Sequence, residues 1–158
     1  AGLCIGRNRG SLVAAMSARG AYLPDLGETW EPSDSTLELS RRARGVPSYA
    51  ILRQLGASGV REMIQRHCTF AKDLATRLSN EAGIEVLNDV ASNQVAIAFD
   101  DDDTATRVLE RVQARGHVYP SHGEWRGRKI IRVSIINYAT NRRDIDLLAD
   151  EIIGALNG

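Results

Sequence analysis

The segment from Arg128 to Leu156 restricts the possible folds more than any other part of the chain. Residues 129–136 form an apolar run in which Arg132 is the one charged residue after the first position. We expect Thr140 to cap a following helix, in which apolar residues recur at three- and four-residue intervals (Ile145, Leu148, Ile152 and Leu156). A strand followed by a helix with one apolar face predicts a sheet packed against helices.

The sequence before Arg128 predicts further helices and strands. One helix is expected from near Pro47 to Gly56, and a second from Ser58, with Gly83 just past its end. The pattern then predicts strands at 84–87 and 94–99, a helix from 101 that stops at Gly116, a short strand at 117–119 and a loop at 120–127. From Ser58 the order is α-β-β-α-β-β-α. This order predicts an α+β fold whose small, largely antiparallel sheet is covered by helices.

The first third of the chain is less regular. Residues 3–5 are consistent with a short strand and residues 11–22 with a helix, which Pro24 prevents from continuing. Residues 24–40 are rich in Pro, Asp, Ser, Glu and Gly and show no sustained periodicity, so we interpret them as an exposed loop.

Composition favours some classes of partner over others. Of the 158 residues, 43% are hydrophobic, and 20 basic residues balance 20 acidic ones. A neutral chain has no electrostatic preference for nucleic acid or an anionic membrane, so we expect neither as a partner. No apolar run approaches the roughly 20 residues needed to span a bilayer. Cys4 and Cys68 make no disulfide framework, and we therefore expect a cytoplasmic protein.

Arg132 is the strongest candidate for a binding residue. Strand alternation places it on one face with Ser134 and Ile136, while Ile131, Val133 and Ile135 point to the other face. An arginine there is either half of a structural ion pair or a ligand for a carboxylate, which its planar guanidinium contacts at two points. The residues alone do not decide between these alternatives.

The other polar residues favour structural roles. His117 and His122 flank a Pro-Ser turn without a Cys or carboxylate at ligand spacing, so we interpret them as loop histidines and expect no metal site. Residues 100–103 are four consecutive aspartates, which suit a helix N-terminus better than a calcium loop. His67 lies on the apolar side of its helix and is expected to be a packed core residue.

Three groups of residues resemble the group II pyridoxal-phosphate-dependent amino-acid decarboxylases, which have the aspartate-aminotransferase fold. They are residues 21–23 (AYL); residues 40–44 (SRRAR) with 52–59 (LRQLGASG); and residues 125–128 (WRGR) with 131–134 (IRVS) and 137–140 (NYAT). Their order and spacing match across nearly the whole chain. The resemblance implies a C-terminal portion: residues 1–23 end a large upstream domain, 24–45 form an exposed loop and connector, and 46–158 form the small domain.

The resemblance also implies a function. The full-length protein would be a homodimeric, pyridoxal-phosphate-dependent lyase that decarboxylates an L-amino acid, with Arg132 holding the substrate carboxylate. The cofactor would be bound by the upstream part. The chain has only two lysines, Lys72 and Lys129, and neither stands in the family's His-x-x-Lys context, so it would be inactive alone.

Two alternatives to a decarboxylase remain open. An aminotransferase-type enzyme of the same fold would use a terminal-strand arginine equally well, and a non-catalytic α+β domain could bind a ligand or partner. In the resembling enzymes a tyrosine of the loop comparable to 24–40 donates a proton, and this loop contains no tyrosine. That departure bears on which reaction the protein performs.

Overall fold

The computed structural model of the protein describes residues 6–17, 34 and 42–158. Contacts between residues divide the chain into two units, Ala1–Gln54 and Leu55–Gly158. In the first unit, helix α1 (Arg9–Met16) begins after Asn8, whose side-chain oxygen accepts a hydrogen bond from the Ser11 amide at 3.2 Å. The strand predicted at 3–5 and almost all of the loop predicted at 24–40 lie outside the described residues.

The helix predicted at residues 11–22 differs from α1 at both ends. It begins two residues earlier because Asn8 is an effective N-cap. It ends at Met16, where Ser17 takes extended backbone angles. Serine favours such ends because its hydroxyl competes for backbone hydrogen bonds within a helix. Residues 18–22 fall outside the described part of the chain.

Helix α2 (Gly45–Leu78) is interrupted at Gly56, where φ is 64° and ψ is −177°. A side chain would strongly disfavour this backbone conformation, and glycine adopts it at little cost. The predicted end of one helix at Gly56 is therefore confirmed as a break, after which the helical residues resume. No helix in the described part of the chain is both long and apolar enough to cross a membrane.

The second unit contains one antiparallel sheet and the helices that cover it. Its strands are β1 (Ile84–Val86), β2 (Gln94–Phe99), β3 (Ser121–Trp125) and β4 (Arg128–Ser134), in the spatial order β1-β2-β4-β3. Helix α3 (Asp102–Arg115) follows β2, and α4 (Arg142–Asn157) follows β4. All three neighbouring strand pairs are antiparallel. The predicted α+β class is confirmed.

The prediction for residues 117–127 was wrong. Residues 117–119 are not a strand, and the predicted loop at 120–127 contains β3, which pairs with β4 along its full length. The turn between them is formed by Arg126 and Gly127, both at positive φ (51° and 81°), as in tight hairpins. The strand was missed because it lies at the sheet edge and is largely exposed, so its sequence shows no apolar alternation.

The two faces of the sheet have different environments. On one face, residues of β2 and β4 pack against α2, α3 and α4 in the main core, whose largest fully buried members are Leu74, Leu78, Val95, Ile97, Val108, Val112, Ile131 and Ile152. Val133 and Ile135 belong to the same core, as the alternation predicts. On the other face, Ala96, Ala98 and Ile130 form a small separate cluster with Leu87. Arg132 lies on this second face, opposite Ala96 and Ser121.

The cap of α4 is Asn141 and not the predicted Thr140. The Asn141 side-chain oxygen accepts from the Arg143 amide at 2.9 Å, and Asp144 Oδ2 accepts from the Asn141 amide at 2.9 Å. This reciprocal pair satisfies donors at the helix start that have no partner within the helix. Thr140 has no carboxylate three residues later with which to form it.

The main core should dominate the stability of the second unit. Replacing the fully buried Ile97→Ala should lower the free energy of unfolding by about 2–5 kcal/mol, because it removes apolar contacts and leaves a cavity. The matched change Ile64→Ala, at a side chain that is 53% exposed, should alter it by less than about 0.5 kcal/mol. Urea unfolding of both variants measures the difference, and equal losses would contradict the described core.

Candidate functional site

A cavity of about 680 Å³ lies at one end of the sheet in the second unit. Its walls are residues 117–121, the end of β4 with the loop that follows it, and the first turns of α4. The polar side chains that line it are His117, Tyr119, Ser121, Arg132, Thr140 and Asp144, among others. Apolar residues such as Ile136 and Leu147 complete the walls, so the cavity suits a small molecule that is partly polar and partly apolar.

Arg132 is one of the residues that line this cavity. Its Nε donates to the Ser121 hydroxyl at 3.3 Å, which orients the side chain across the β3–β4 pair. The side chain is exposed, and it forms no salt bridge with any carboxylate of the described residues. Its terminal nitrogens are therefore available to an anion that enters the cavity.

His117 is held by a buried carboxylate. Its Nδ1 lies 2.7 Å from Glu151 Oε1 on α4, and Arg115 Nη1 at the end of α3 lies 3.0 Å from Glu151 Oε2. The Glu151 side chain is only 10% exposed, whereas the His117 side chain is 61% exposed. The hydrogen bonds from His117 and then Arg115 hold the pKa of Glu151 below its ordinary value, against the opposing effect of burial.

The loop after β4 is held by two residues of α2. His67, which is buried as predicted, lies with Nε2 3.0 Å from the Asn137 carbonyl oxygen. Arg66 donates from Nη2 to the next carbonyl, that of Tyr138, at 2.7 Å. Asn137 lines the cavity, so these contacts position one of its walls. His67 accordingly has a polar contact in addition to its expected packing.

The other candidate residues from the sequence do not line this cavity. His122 is exposed on β3 and does not line it. Asp101 caps α3 by accepting from the Thr104 amide at 2.6 Å, and this bond lowers the pKa of Asp101. In the described part of the chain, no three His, Cys, Asp or Glu side chains are arranged to hold a metal ion.

Sequence reasoning missed the roles of Arg115 and Glu151. One signal was present, because Glu151 follows Leu148 by three residues and precedes Ile152, and so shares the apolar stripe of α4. A carboxylate at such a position is buried and requires partners. Which partners it has depends on the packing of α3 and of residue 117 against α4, which the sequence pattern does not specify.

The comparisons with known proteins agree with one another. A family model described as the pyridoxal-dependent decarboxylase conserved domain matches residues 1–100. The 3,4-dihydroxyphenylacetaldehyde synthase of Drosophila melanogaster is 27% identical over 117 residues, which cover 73% of this chain and 23% of the relative. Tyrosine/DOPA decarboxylase 1 of Papaver somniferum is 25% identical, over 92% of this chain and 34% of its own.

Solved structures show the same fold. The crystal structure of Oryza sativa TDC with PLP and tryptamine superposes with a TM-score of 0.79 at 17% identity, over 92% of this chain and 33% of that one. The crystal structure of Rhodiola rosea 4-hydroxyphenylacetaldehyde synthase gives a TM-score of 0.78 at 20% identity, over 94% and 32% of the two chains. The chain thus spans about a quarter to a third of the length of these proteins.

The buried Glu151 carboxylate should make stability depend on pH. Its pKa in the folded protein lies below the ordinary value of 4.5, so the unfolded chain binds the proton more readily. The stabilisation it contributes is therefore present at neutral pH and is lost as the pH falls below about 4.5, through the lower pKa of the folded state. Glu151→Gln should lower the free energy of unfolding at pH 7 and weaken its decrease between pH 7 and pH 3.

Urea unfolding of the wild type and the variant at the two pH values measures this effect. The control is Glu110→Gln, which removes an exposed carboxylate from α3 and should leave the pH dependence close to that of the wild type. If the free energy of unfolding has the same pH dependence in Glu151→Gln and Glu110→Gln, the contacts of Glu151 with His117 and Arg115 do not contribute to acid sensitivity.

Proposed function

Because this chain belongs to the pyridoxal-dependent decarboxylase family, we propose that the intact protein decarboxylates an L-amino acid to its amine and carbon dioxide. One observation in the described residues carries the proposal: Arg132, which forms no salt bridge with a described carboxylate, lines a cavity of suitable size. A guanidinium binds a carboxylate at two points, and the substrate of such a reaction necessarily has one. Arg132 is therefore proposed as the substrate-binding residue.

The cofactor of the family supplies an electron sink when it is bound. The cavity as described does not provide an attachment point for it, since neither Lys72 nor Lys129 lines the walls. Lys129 instead donates from Nζ to the Thr106 hydroxyl at 3.4 Å. We propose that the lysine that holds pyridoxal phosphate lies outside these 158 residues, and that this chain alone is inactive.

The contribution of this chain is then to bind and orient the substrate. Arg132, with its Nε held by Ser121, fixes the position of the carboxylate. The apolar side chains of Ile136 and Leu147 offer a contact surface to the side-chain end of the ligand. We also propose that the intact protein is a cytoplasmic homodimer, since closed two-fold pairs are the commonest assembly of soluble enzymes. Sedimentation as a monomer at micromolar concentration would contradict the dimer.

A second candidate is the oxidative conversion of an amino acid to an aldehyde, in which dioxygen and water are consumed and carbon dioxide, ammonia and hydrogen peroxide are released. Two observations favour it: a relative named as an aldehyde synthase matches the chain, and residues 24–40 contain no tyrosine that could donate a proton. Product analysis of the full-length protein distinguishes the candidates, because decarboxylation alone yields an amine. A keto acid would instead indicate aminotransferase-type chemistry, and no turnover of amino acids would indicate a binding domain.

The role of Arg132 can be tested by Arg132→Lys in the full-length protein. The change keeps the charge but removes the two-point geometry, so affinity for the substrate should fall on the order of tenfold or more, with little change in melting temperature. The matched control is Arg128→Lys, on the same strand and face but outside the cavity, where the guanidinium pairs with Glu85 at 2.8 Å. Normal substrate affinity with a lower melting temperature would show that Arg132 is a structural residue.

The inactivity of the chain alone has a separate test. The 158-residue chain is mixed with pyridoxal phosphate and treated with borohydride, and its peptides are examined by mass spectrometry. We expect no lysine to be modified selectively, because a reactive lysine needs a pocket that lowers its pKa and both lysines lie outside the cavity. Stoichiometric modification of Lys72 or Lys129 alone would contradict the proposal.

A further inference from the structure

Ser121 is the polar neighbour that contacts the Arg132 side chain. The two residues directly across from Arg132 in the sheet are Ala96 on β2 and Ser121 on β3. Ala96 has no polar side-chain atom, whereas the Ser121 hydroxyl accepts a hydrogen bond from Arg132 Nε at 3.3 Å. The same hydroxyl donates to the backbone carbonyl oxygen of Arg132 at 3.4 Å. Its proton therefore points to the carbonyl, and a lone pair is left to accept from Nε.

The bond to Ser121 occupies one side of the guanidinium group. An arginine has two pairs of N–H groups that fit a carboxylate: Nη1 with Nη2 at the end of the group, and Nε with Nη2 at its side. Nε carries a single hydrogen, which Ser121 accepts. Nη1 and Nη2 of Arg132 have no hydrogen-bond partner among the described residues. The pair that is left for a carboxylate in the cavity is therefore Nη1 and Nη2.

The acidic residue that lines the cavity does not occupy this pair. Asp144 forms no salt bridge with Arg132 in the described part of the chain, and its Oδ2 accepts from the Asn141 amide at 2.9 Å. The Arg132 side chain is thus oriented by a neutral hydroxyl, which leaves its positive charge for a ligand. An arginine loses rotamer freedom when it binds a ligand, and a contact that restricts the side chain beforehand reduces this loss.

We propose that Ser121 is a positioning residue for Arg132: its hydroxyl holds Nε, so that the substrate carboxylate is bound by Nη1 and Nη2. This inference rests on the proposed role of Arg132 and adds the geometry of the contact. The direction of the effect of Ser121 on affinity distinguishes the two geometries. If a carboxylate bound Nε and Nη2 instead, the hydroxyl would compete with it, and removal of the hydroxyl would leave the affinity unchanged or raise it.

The probes are hydrocinnamate and hydrocinnamyl alcohol, which have the same carbon skeleton and differ in the carboxylate. Calorimetry with the full-length protein measures their dissociation constants. Ser121→Ala should weaken hydrocinnamate binding about fivefold and change binding of the alcohol less than about twofold, with little change in melting temperature. Ser121→Thr keeps the hydroxyl and should restore the affinity for hydrocinnamate. Ser92→Ala removes an exposed hydroxyl between β1 and β2, outside the cavity, and as the matched control should change neither affinity.

A second comparison isolates the contact with Nε. Lysine has a methylene group where arginine has Nε, so in Arg132→Lys the Ser121 hydroxyl loses its partner. In that background Ser121→Ala should change the affinity for hydrocinnamate less than about twofold. Equal losses in the Arg132→Lys and wild-type backgrounds would overturn the inference, because Ser121 would then act independently of Arg132.

The outcomes separate the two proposals. If Ser121→Ala leaves the affinity for hydrocinnamate unchanged or raises it, while Arg132→Lys lowers it, the role of Ser121 is wrong and that of Arg132 stands. If Ser121→Ala weakens both probes equally, the hydroxyl has a structural role and the inference is also wrong. If Arg132→Lys leaves the affinity for hydrocinnamate unchanged, or the wild type binds the acid no more tightly than the alcohol, both proposals are wrong.

Discussion

The burial of alternate residues of β4, and of Ile135 directly after it, determines where Arg132 lies. Ile131, Val133 and Ile135 are in the main core, and each is at most 5% exposed. Because neighbouring side chains of a strand point to opposite faces, this burial forces Arg132 onto the face of the sheet opposite the main core. A shift of the strand by one residue would bury the guanidinium and expose the core residues, at a large cost in free energy. The position of the proposed ligand-binding residue is thus a consequence of packing.

Two of the cavity walls, residues 117–120 and the loop after β4, are irregular segments that lack the ladder hydrogen bonds of a strand. Each of these two segments is attached to a helix through a histidine: His67 of α2 contacts the Asn137 carbonyl, and His117 contacts Glu151 of α4. Segments attached in this way keep their geometry without strand pairing, and helices are more rigid supports than loops. The core therefore determines the position of Arg132, and the contacts of His67 and His117 hold the segments that line the cavity around it.

The sequence predicted the parts of this structure that depend on periodicity. The α+β class, strand β2 and the break at Gly56 all follow from local patterns, and the structure confirms them. The edge strand β3 and the cap at Asn141 were missed, because an exposed strand lacks alternation and because Thr140 and Asn141 are both good caps. The Arg115–Glu151–His117 cluster joins residues up to 36 positions apart, and only tertiary packing brings them together.

A crystal structure of the full-length protein with a bound amino-acid substrate analogue would test directly whether Arg132 binds the substrate carboxylate. We expect both carboxylate oxygens of the analogue at about 2.7–2.9 Å from the Arg132 guanidinium nitrogens, as in two-point charge-assisted hydrogen bonds. An ion pair between Arg132 and an acidic side chain of the protein, with the carboxylate of the analogue bound elsewhere, would contradict it.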